Sequence, residues 1–385
     1  MSISKNSISR NQLSESIYNH GSMKNVSNIN FVHNHKQARP NMVRSILGDE
    51  TGKVPVWFMR QAGRYLPEYL AIRSKFPSFI DFCLNAEVAI EASLQPLERF
   101  DIDAAIIFSD ILVIAHALGA NVKFIENIGP KVIMDKGLQK NTDRYHKTID
   151  GVSEVVRGVR QALAPSKAVI GFAGAPWTVA SYLLEGGSSK DFAQAKSSAF
   201  DGQIDDLINT LTDATIEYLS IQIEAGASII KLFDSWAGVL NPSLLQKYVI
   251  EPTRMIVRHL KERYPYIPII GFPKGIGVNY KMYTELTGID CLALDSNTPI
   301  LWARNNIQGK IAGKVAIQGN LDNSLLLIDD KKRIEKEVLM ILDNVDITKN
   351  FVFNLGHGVL QRSRIENIHI VIETIRSYER EHCTI

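Results

Sequence analysis

Three cysteines in 385 residues, Cys83, Cys291 and Cys383, are too few and too scattered for a disulfide framework, and their number is odd. Their scarcity points to a reducing compartment, and the expected location is the cytoplasm. No apolar run reaches the ~18 residues that a membrane span needs. An excess of one charge is lacking too. Lys and Arg number 43 against 41 Asp and Glu, and the formal net charge of +2 does not suggest a nucleic-acid binder. A near-neutral balance still leaves room for a local basic pocket that holds an acidic small molecule. No Gly-rich dinucleotide turn follows any candidate strand. No polar linker interrupts the chain after residue 45, so one large domain over residues 41–385 is expected. Acids are nearly missing from the first forty residues, where Glu15 stands alone. That segment is rich in Ser and Asn and poor in large aliphatics, so it cannot bury enough apolar surface to offset its ordering entropy. Residues 1–40 therefore read as a disordered polar tail. A targeting segment is also Ser-rich and acid-poor, but arginine is sparse here and no amphipathic stripe is evident. A true start at Met23 is the other reading.

What is present is ordinary for a globular enzyme: 45% hydrophobic and 22% charged residues. From residue 45 on, short apolar runs alternate with longer helical patterns. The runs are PVWFM (55–59), AAIIF (104–108), VIGFAG (169–174), SIIKLFD (228–234), IPIIGF (267–272), CLALD (291–295), VAIQG (315–319) and FVFNLG (351–356). Short, continuous and rich in β-branched residues, they fit strands of a parallel sheet buried on both faces. Helices are expected over Glu87–Phe100, with a kink at Pro96, over Asp205–Ala225 and over Lys331–Leu342. VKFIE (122–126) reads as an additional strand in an insertion. Eight strand–helix repeats in one domain predict an α/β fold of the (β/α)8 TIM-barrel kind.

In such a barrel, chemistry belongs at the C-terminal strand ends. After the first run stand Arg60, Gln61 and Arg64, and after the second Ser109 and Asp110. The third is followed by Pro176, Thr178 and Tyr182. The fourth ends on Asp234 and Ser235, the eighth on Asn354 and His357. Each has a bland reading. A lone Arg is commonly a surface ion pair, Asp110 a helix cap with Ser109 sharing the task, and Tyr182 packing. His357 is less bland, because Gly356 and Gly358 let the backbone come close to a ligand. Their coincidence on one rim favours a site. Arginine donates two parallel hydrogen bonds to a carboxylate, so several Arg with one Asp suit an anionic ligand that has a cationic or N–H centre.

PVWFMRQAGRYLPEY (55–69) and GFAGAPWTVASYLLEGG (171–187) resemble the two signatures of the uroporphyrinogen decarboxylase family. IFSDIL (107–112), FDSWAG (233–238), QGNLD (318–322) and NLGHG (354–358) resemble further family blocks, in the family's order, covering residues 45–380. The resemblance implies a homodimeric barrel of porphyrin and heme biosynthesis that needs no metal or other cofactor. Its reaction is the conversion of uroporphyrinogen III to coproporphyrinogen III by loss of four CO2. It implies substrate binding by Arg60, Gln61, Ala62, Gly63, Arg64, Arg73, Asp110, Tyr182, Ser235 and His357. Three departures surround these blocks. VLQRSR (359–364) replaces a Pro-Glu-Thr-Pro stretch, Ser296 stands where the family often has Trp, and Asn323 stands where QGNLDP has proline.

The chemistry suits the residues. An acetate arm on a pyrrole loses CO2 once a protonated ring carbon makes the ring an electron sink; many other decarboxylases borrow a cofactor instead. Asp110 is the candidate stabiliser of the ring cation. Arg60, Tyr182 and His357 are candidate proton donors, with arginine's high pKa counting against Arg60. Two alternatives remain from the residues alone. One is a zinc-dependent methyltransferase of the same barrel superfamily, for which no Cys–His pair stands near a strand end. The other is a non-catalytic tetrapyrrole carrier.

Overall fold

The run Ile229–Asp234 shows how the chain builds its layers. Ile229 and Phe233 face one cluster of apolar side chains, whereas Ile230 and Leu232 face another. A strand alternates its side chains between two faces, so a run with apolar residues on both must be covered on both. In the computed structural model, which describes residues 39–126, 128–134, 137–140, 142–308 and 315–382, seven such strands pair in parallel. They are β1 (Ala104–Ile106), β4 (Ala168–Gly174), β5 (Ile229–Asp234), β6 (Ile269–Pro273), β7 (Cys291–Ala293), β8 (Ala316–Leu321) and β9 (Phe351–Leu355), in that order across the sheet. The remaining two, β2 (Asn121–Ile125) and β3 (Gly129–Ile133), form a separate antiparallel hairpin that takes in the VKFIE segment. Helices lie between successive strands. Ala86–Arg99 runs on past Pro96, Asp205–Glu224 precedes β5, and Lys331–Leu342 precedes β9. Pro40–Ile385 makes one compact unit. The expected tail lies outside the described residues except for Arg39 and Pro40.

The first expected strand, 55–59, is the exception. It forms one parallel bridge, Val56 with Phe353, and no ladder. It still closes the ring. Phe353 N–H donates to the Pro55 carbonyl at 2.8 Å on one side, and Asp103 N–H donates to the Val56 carbonyl at 2.7 Å on the other. Side chains replace the missing ladder. The N–H groups of Val56, Phe58 and Met59 donate to the carboxylate of Asp103 (2.9 Å) and the side-chain oxygens of Gln61 (3.1 Å) and Asn354 (3.1 Å). Buried backbone donors must find acceptors, and here they find them off the strand. The result is a (β/α)8 barrel with seven regular staves and one irregular one.

Small, branched and a few bulky residues fill the interior: Trp57, Met59, Ala104, Ala168, Ile170, Ile229, Ile270, Phe272, Cys291, Ala293, Ala316 and Val352. The helix Asn41–Ile46 plugs the N-terminal end with Met42, Val43 and Ile46. At that end Arg376 ties Asp101 (3.0 Å) and Asp103 (2.9 Å) to the Val54 carbonyl (2.9 Å). Polar fastening on this face serves stability, which leaves the opposite rim for chemistry.

Candidate active site

The rim is floored by aromatic rings. Phe172, Phe233 and Phe272 stand near the C-terminal ends of β4, β5 and β6, with ring centroids 5.4 Å and 6.2 Å apart and edge-to-face packing. Above this floor, Arg60 leaves the first stave with a left-handed backbone, φ 58°. That conformation costs a non-glycine residue of order 1 kcal/mol and clusters at functional positions. It lays the arginine stem against Gly358, where an added Cβ would come within 2.4 Å of Arg60 Cδ. Gly356 is closed in the same way by Ser296, whose backbone nitrogen would lie 2.2 Å from an added Cβ. The two glycines that flank His357 thus admit other parts of the protein, rather than simply leaving room for a ligand.

Asp110 follows β1 and is partly exposed to the rim. Its Oδ1 accepts the Leu112 N–H at 2.8 Å, and its backbone carbonyl accepts the Val113 N–H at 3.1 Å. The turn-capping reading is therefore real, yet it uses one carboxylate oxygen and leaves Oδ2 without a partner among the described residues. Burial pushes the Asp110 carboxyl up to about 6, against the opposing pull of the Leu112 N–H and the Arg60 guanidinium. His357 is driven the other way, down to about 4, by burial and by the charges of Lys274 and Arg60. Near neutral pH its imidazole is uncharged, and Nδ1 accepts the Gly358 N–H at 2.8 Å. Burial raises Tyr182, whose ring packs edge-on to Trp236 at 6.0 Å and which feels the charges of Asp110 and Arg60. Ser235 sits half-buried just past Asp234, and Ala62, Gly63 and the exposed Arg64 continue the turn that begins at Arg60.

Arg60, Asp110, Tyr182 and His357 therefore share one electrostatic neighbourhood. Two expected contacts are engaged elsewhere. Gln61 is fully buried, its amide spanning from Phe58 N–H to the Ala104 carbonyl (3.0 Å), so it braces the turn. Arg73 ends the helix Pro67–Arg73, donates to the Phe76 carbonyl, and lies over the rings of Phe79 (5.6 Å) and Phe82 (5.7 Å). Its link to the rim runs through Phe82, which packs on Phe108 at 5.0 Å. Sequence reasoning passed over Lys274, the cation immediately beyond β6, and Lys231, a lysine inside the apolar run of β5. The sequence signals were a charge just past a strand end and a charge within an apolar run. Asp295, just past β7, was weighed only for its neighbour Ser296.

A family model described as Uroporphyrinogen decarboxylase (URO-D) matches residues 37–378. The chain belongs to the uroporphyrinogen decarboxylase family. The uroporphyrinogen decarboxylase of Rickettsia bellii is 44% identical over 336 residues, covering 85% of this chain and 96% of that protein. The enzyme of the same name from Rhodospirillum rubrum is 43% identical over 345 residues, covering 87% and 96%. Among solved structures, a methyltransferase from Methanosarcina mazei superposes with a TM-score of 0.71 at 16% identity, covering 89% of this chain and 98% of that one. That likeness speaks for the fold alone.

The three departures from the uroporphyrinogen decarboxylase pattern meet around one loop. Asn323 donates from Nδ2 to the Gly358 carbonyl at 2.7 Å. Ser296 packs on Gly356. In the VLQRSR stretch, Val359 N–H donates to the Met59 carbonyl at 2.8 Å, and Ser363 Oγ accepts the Leu360 N–H at 3.1 Å. The contacts thus fall on the residues that flank His357 on either side.

Proposed function

We propose that this member of the family is a uroporphyrinogen decarboxylase, removing the carboxyl groups of four acetate arms to give coproporphyrinogen III and CO2. The observation that carries the reading is Asp110. It is a carboxylate at the C-terminal rim of the barrel, with one oxygen satisfied by the protein and the other open, beside Arg60 and above an aromatic floor. Arg60 and Arg64 bind substrate carboxylates through their planar forks. Asp110 accepts pyrrole N–H groups. A proton added to a ring carbon then makes the pyrrole cationic, and the fixed anion stabilises that charge as it develops. The electron pair of the breaking C–C bond enters the ring, CO2 departs, the methylene carbon takes up a proton to become a methyl group, and the ring carbon gives up the proton it had gained, which restores the neutral pyrrole. With His357 held neutral and Tyr182 raised, neither is a strong acid in the free site. Carboxylates bound between Arg60 and Lys274 would offset the field that depresses His357, which makes it the donor that substrate itself arms. The same reading takes in a cytoplasmic homodimer that requires no metal or organic cofactor.

The test is Asp110→Asn, assayed by CO2 release from uroporphyrinogen. Asparagine is nearly isosteric and its side-chain oxygen can still accept the Leu112 N–H, so the fold should persist. The neutral amide loses the counter-charge, and kcat should fall by ~10² or more. A variant that folds and keeps most of its rate would refute this role. A carrier that merely binds the tetrapyrrole would show no CO2 release even as wild type.

A further inference from the structure

The rim holds more basic charge than the two arginine forks account for. Lys274 follows β6 directly, on the same rim as Ser235 and His357. Its backbone is fixed from three directions. Its N–H donates to the Asp234 carbonyl at 3.1 Å, its carbonyl accepts the Gly238 N–H at 3.0 Å, and the next N–H, of Gly275, donates to Asp295 Oδ2 at 2.8 Å. The two loops meet so closely that a Cβ on Gly238 would lie 2.6 Å from the Gly275 carbonyl oxygen. Anchoring of this kind fixes the Cα–Cβ direction, from which the flexible lysine stem can reach a ligand on the rim.

The side chain itself is uncommitted. Lys274 is half-buried, and its ammonium forms no ion pair or hydrogen bond among the described residues. The acid nearest in field, Asp295, is already saturated. Its carboxylate accepts from Gly275 N–H, Tyr280 Oη (2.8 Å), Asn297 N–H (3.1 Å) and Thr298 Oγ1 (2.9 Å). It serves as the anchor of the loop rather than as the partner of the lysine. Arg60 and Lys274 both act on His357, and burial together with Arg60 lowers Lys274 itself. Like charges gathered in a half-buried cup repel one another, and an anion bound among them relieves that repulsion.

We propose that Lys274, positioned through Gly275 by Asp295, is a third basic contact of the site and binds a carboxylate arm of the substrate on the His357 side. The inference rests on the tetrapyrrole reading above and adds a residue to it. An ammonium is a point charge with rotatable donors, in contrast to the planar guanidinium fork. Lys274 therefore suits an arm whose carboxylate changes position as the ring is turned and bound again for successive decarboxylations.

Fluorescence titration with uroporphyrin, the stable oxidised ring, separates the two layers of the argument. Lys274→Met keeps the apolar stem and removes the charge, and its Kd should rise about tenfold, the equivalent of 1.4 kcal/mol. Lys274→Arg should stay within about threefold of wild type, since it keeps the charge. Lys274→Gln supplies a second neutral variant if methionine perturbs folding. Imidazole NMR of the free protein provides a readout that packing alone would not move. His357 should titrate at higher pH in Lys274→Met and be little changed in Lys274→Arg. A folded neutral variant with wild-type Kd overturns the assignment. A wild-type protein that binds uroporphyrin but releases no CO2 from uroporphyrinogen overturns the decarboxylase reading, while the Kd comparison still decides Lys274. Failure of the wild type to bind uroporphyrin overturns both.

Discussion

Lys231 is fully buried inside the barrel, and its Nζ has no hydrogen-bond partner among the described residues. The rings of Trp57, Phe233 and Phe272 surround it, with centroids 5.2, 5.0 and 5.1 Å from the nitrogen. Burial pushes the ammonium down from 10.5 to about 7, with the nearby Cys291 pulling weakly the other way. A folded-state value below the unfolded one means that the unfolded chain binds more protons between those limits. Stability therefore rises with pH across the window from about 7 to 10.5, and the penalty is fully present below it. At ~1.36 kcal/mol per pH unit the shift corresponds to about 5 kcal/mol. Lys231→Met has a side chain of similar length without the charge or the orphan donor. It should be more stable than wild type by about 4 kcal/mol at pH 7. The charge-dependent part of the gain should shrink as pH approaches 10.5. Urea denaturation of both proteins at several pH values between 7 and 10 measures this directly, because the titration of every other group cancels in the difference. A gain that is the same at every pH, or a variant less stable at pH 7, would refute the argument.

Three further outcomes follow from the site. In the free enzyme kcat/KM should fall as pH drops through about 6, where Asp110 takes up its proton, and a profile flat to pH 5 would contradict that assignment. Arg60→Lys and Arg64→Lys keep the charge but lose the planar fork, so KM should rise with kcat little changed; a fall in kcat at constant KM would place Arg60 in proton transfer instead. Asn323→Ala removes the bond to the Gly358 carbonyl. It should cost about 1 kcal/mol of stability in thermal unfolding and raise KM through a looser His357 loop, and wild-type values of both would show that the bond is idle.

Seven of the eight staves, the hairpin segment and the rim residues could be read from the sequence, because they rest on local rules. An uninterrupted β-branched run must be buried on both faces, and a polar residue just past such a run must stand at its end. The family blocks added an expectation of which rim residues act together. Long-range partners were not legible. PVWFM has the composition of a strand, but its donors go to Asp103, Gln61 and Asn354, the last almost three hundred residues away, and no local pattern announces that. Gln61 and Arg73 looked like ligand contacts, and only the tertiary structure places one between two backbone segments and the other on Phe79 and Phe82. Lys231 read as part of a strand, and its inward direction was fixed only by the register of β5 against its neighbours. The protonation of the site is decided at the same level. The field at His357 comes from Lys274 after β6 and from Arg60 on the first stave. Composition and spacing specify which groups a chain carries. How strongly those groups perturb one another depends on distance and burial, and only the closed barrel sets these.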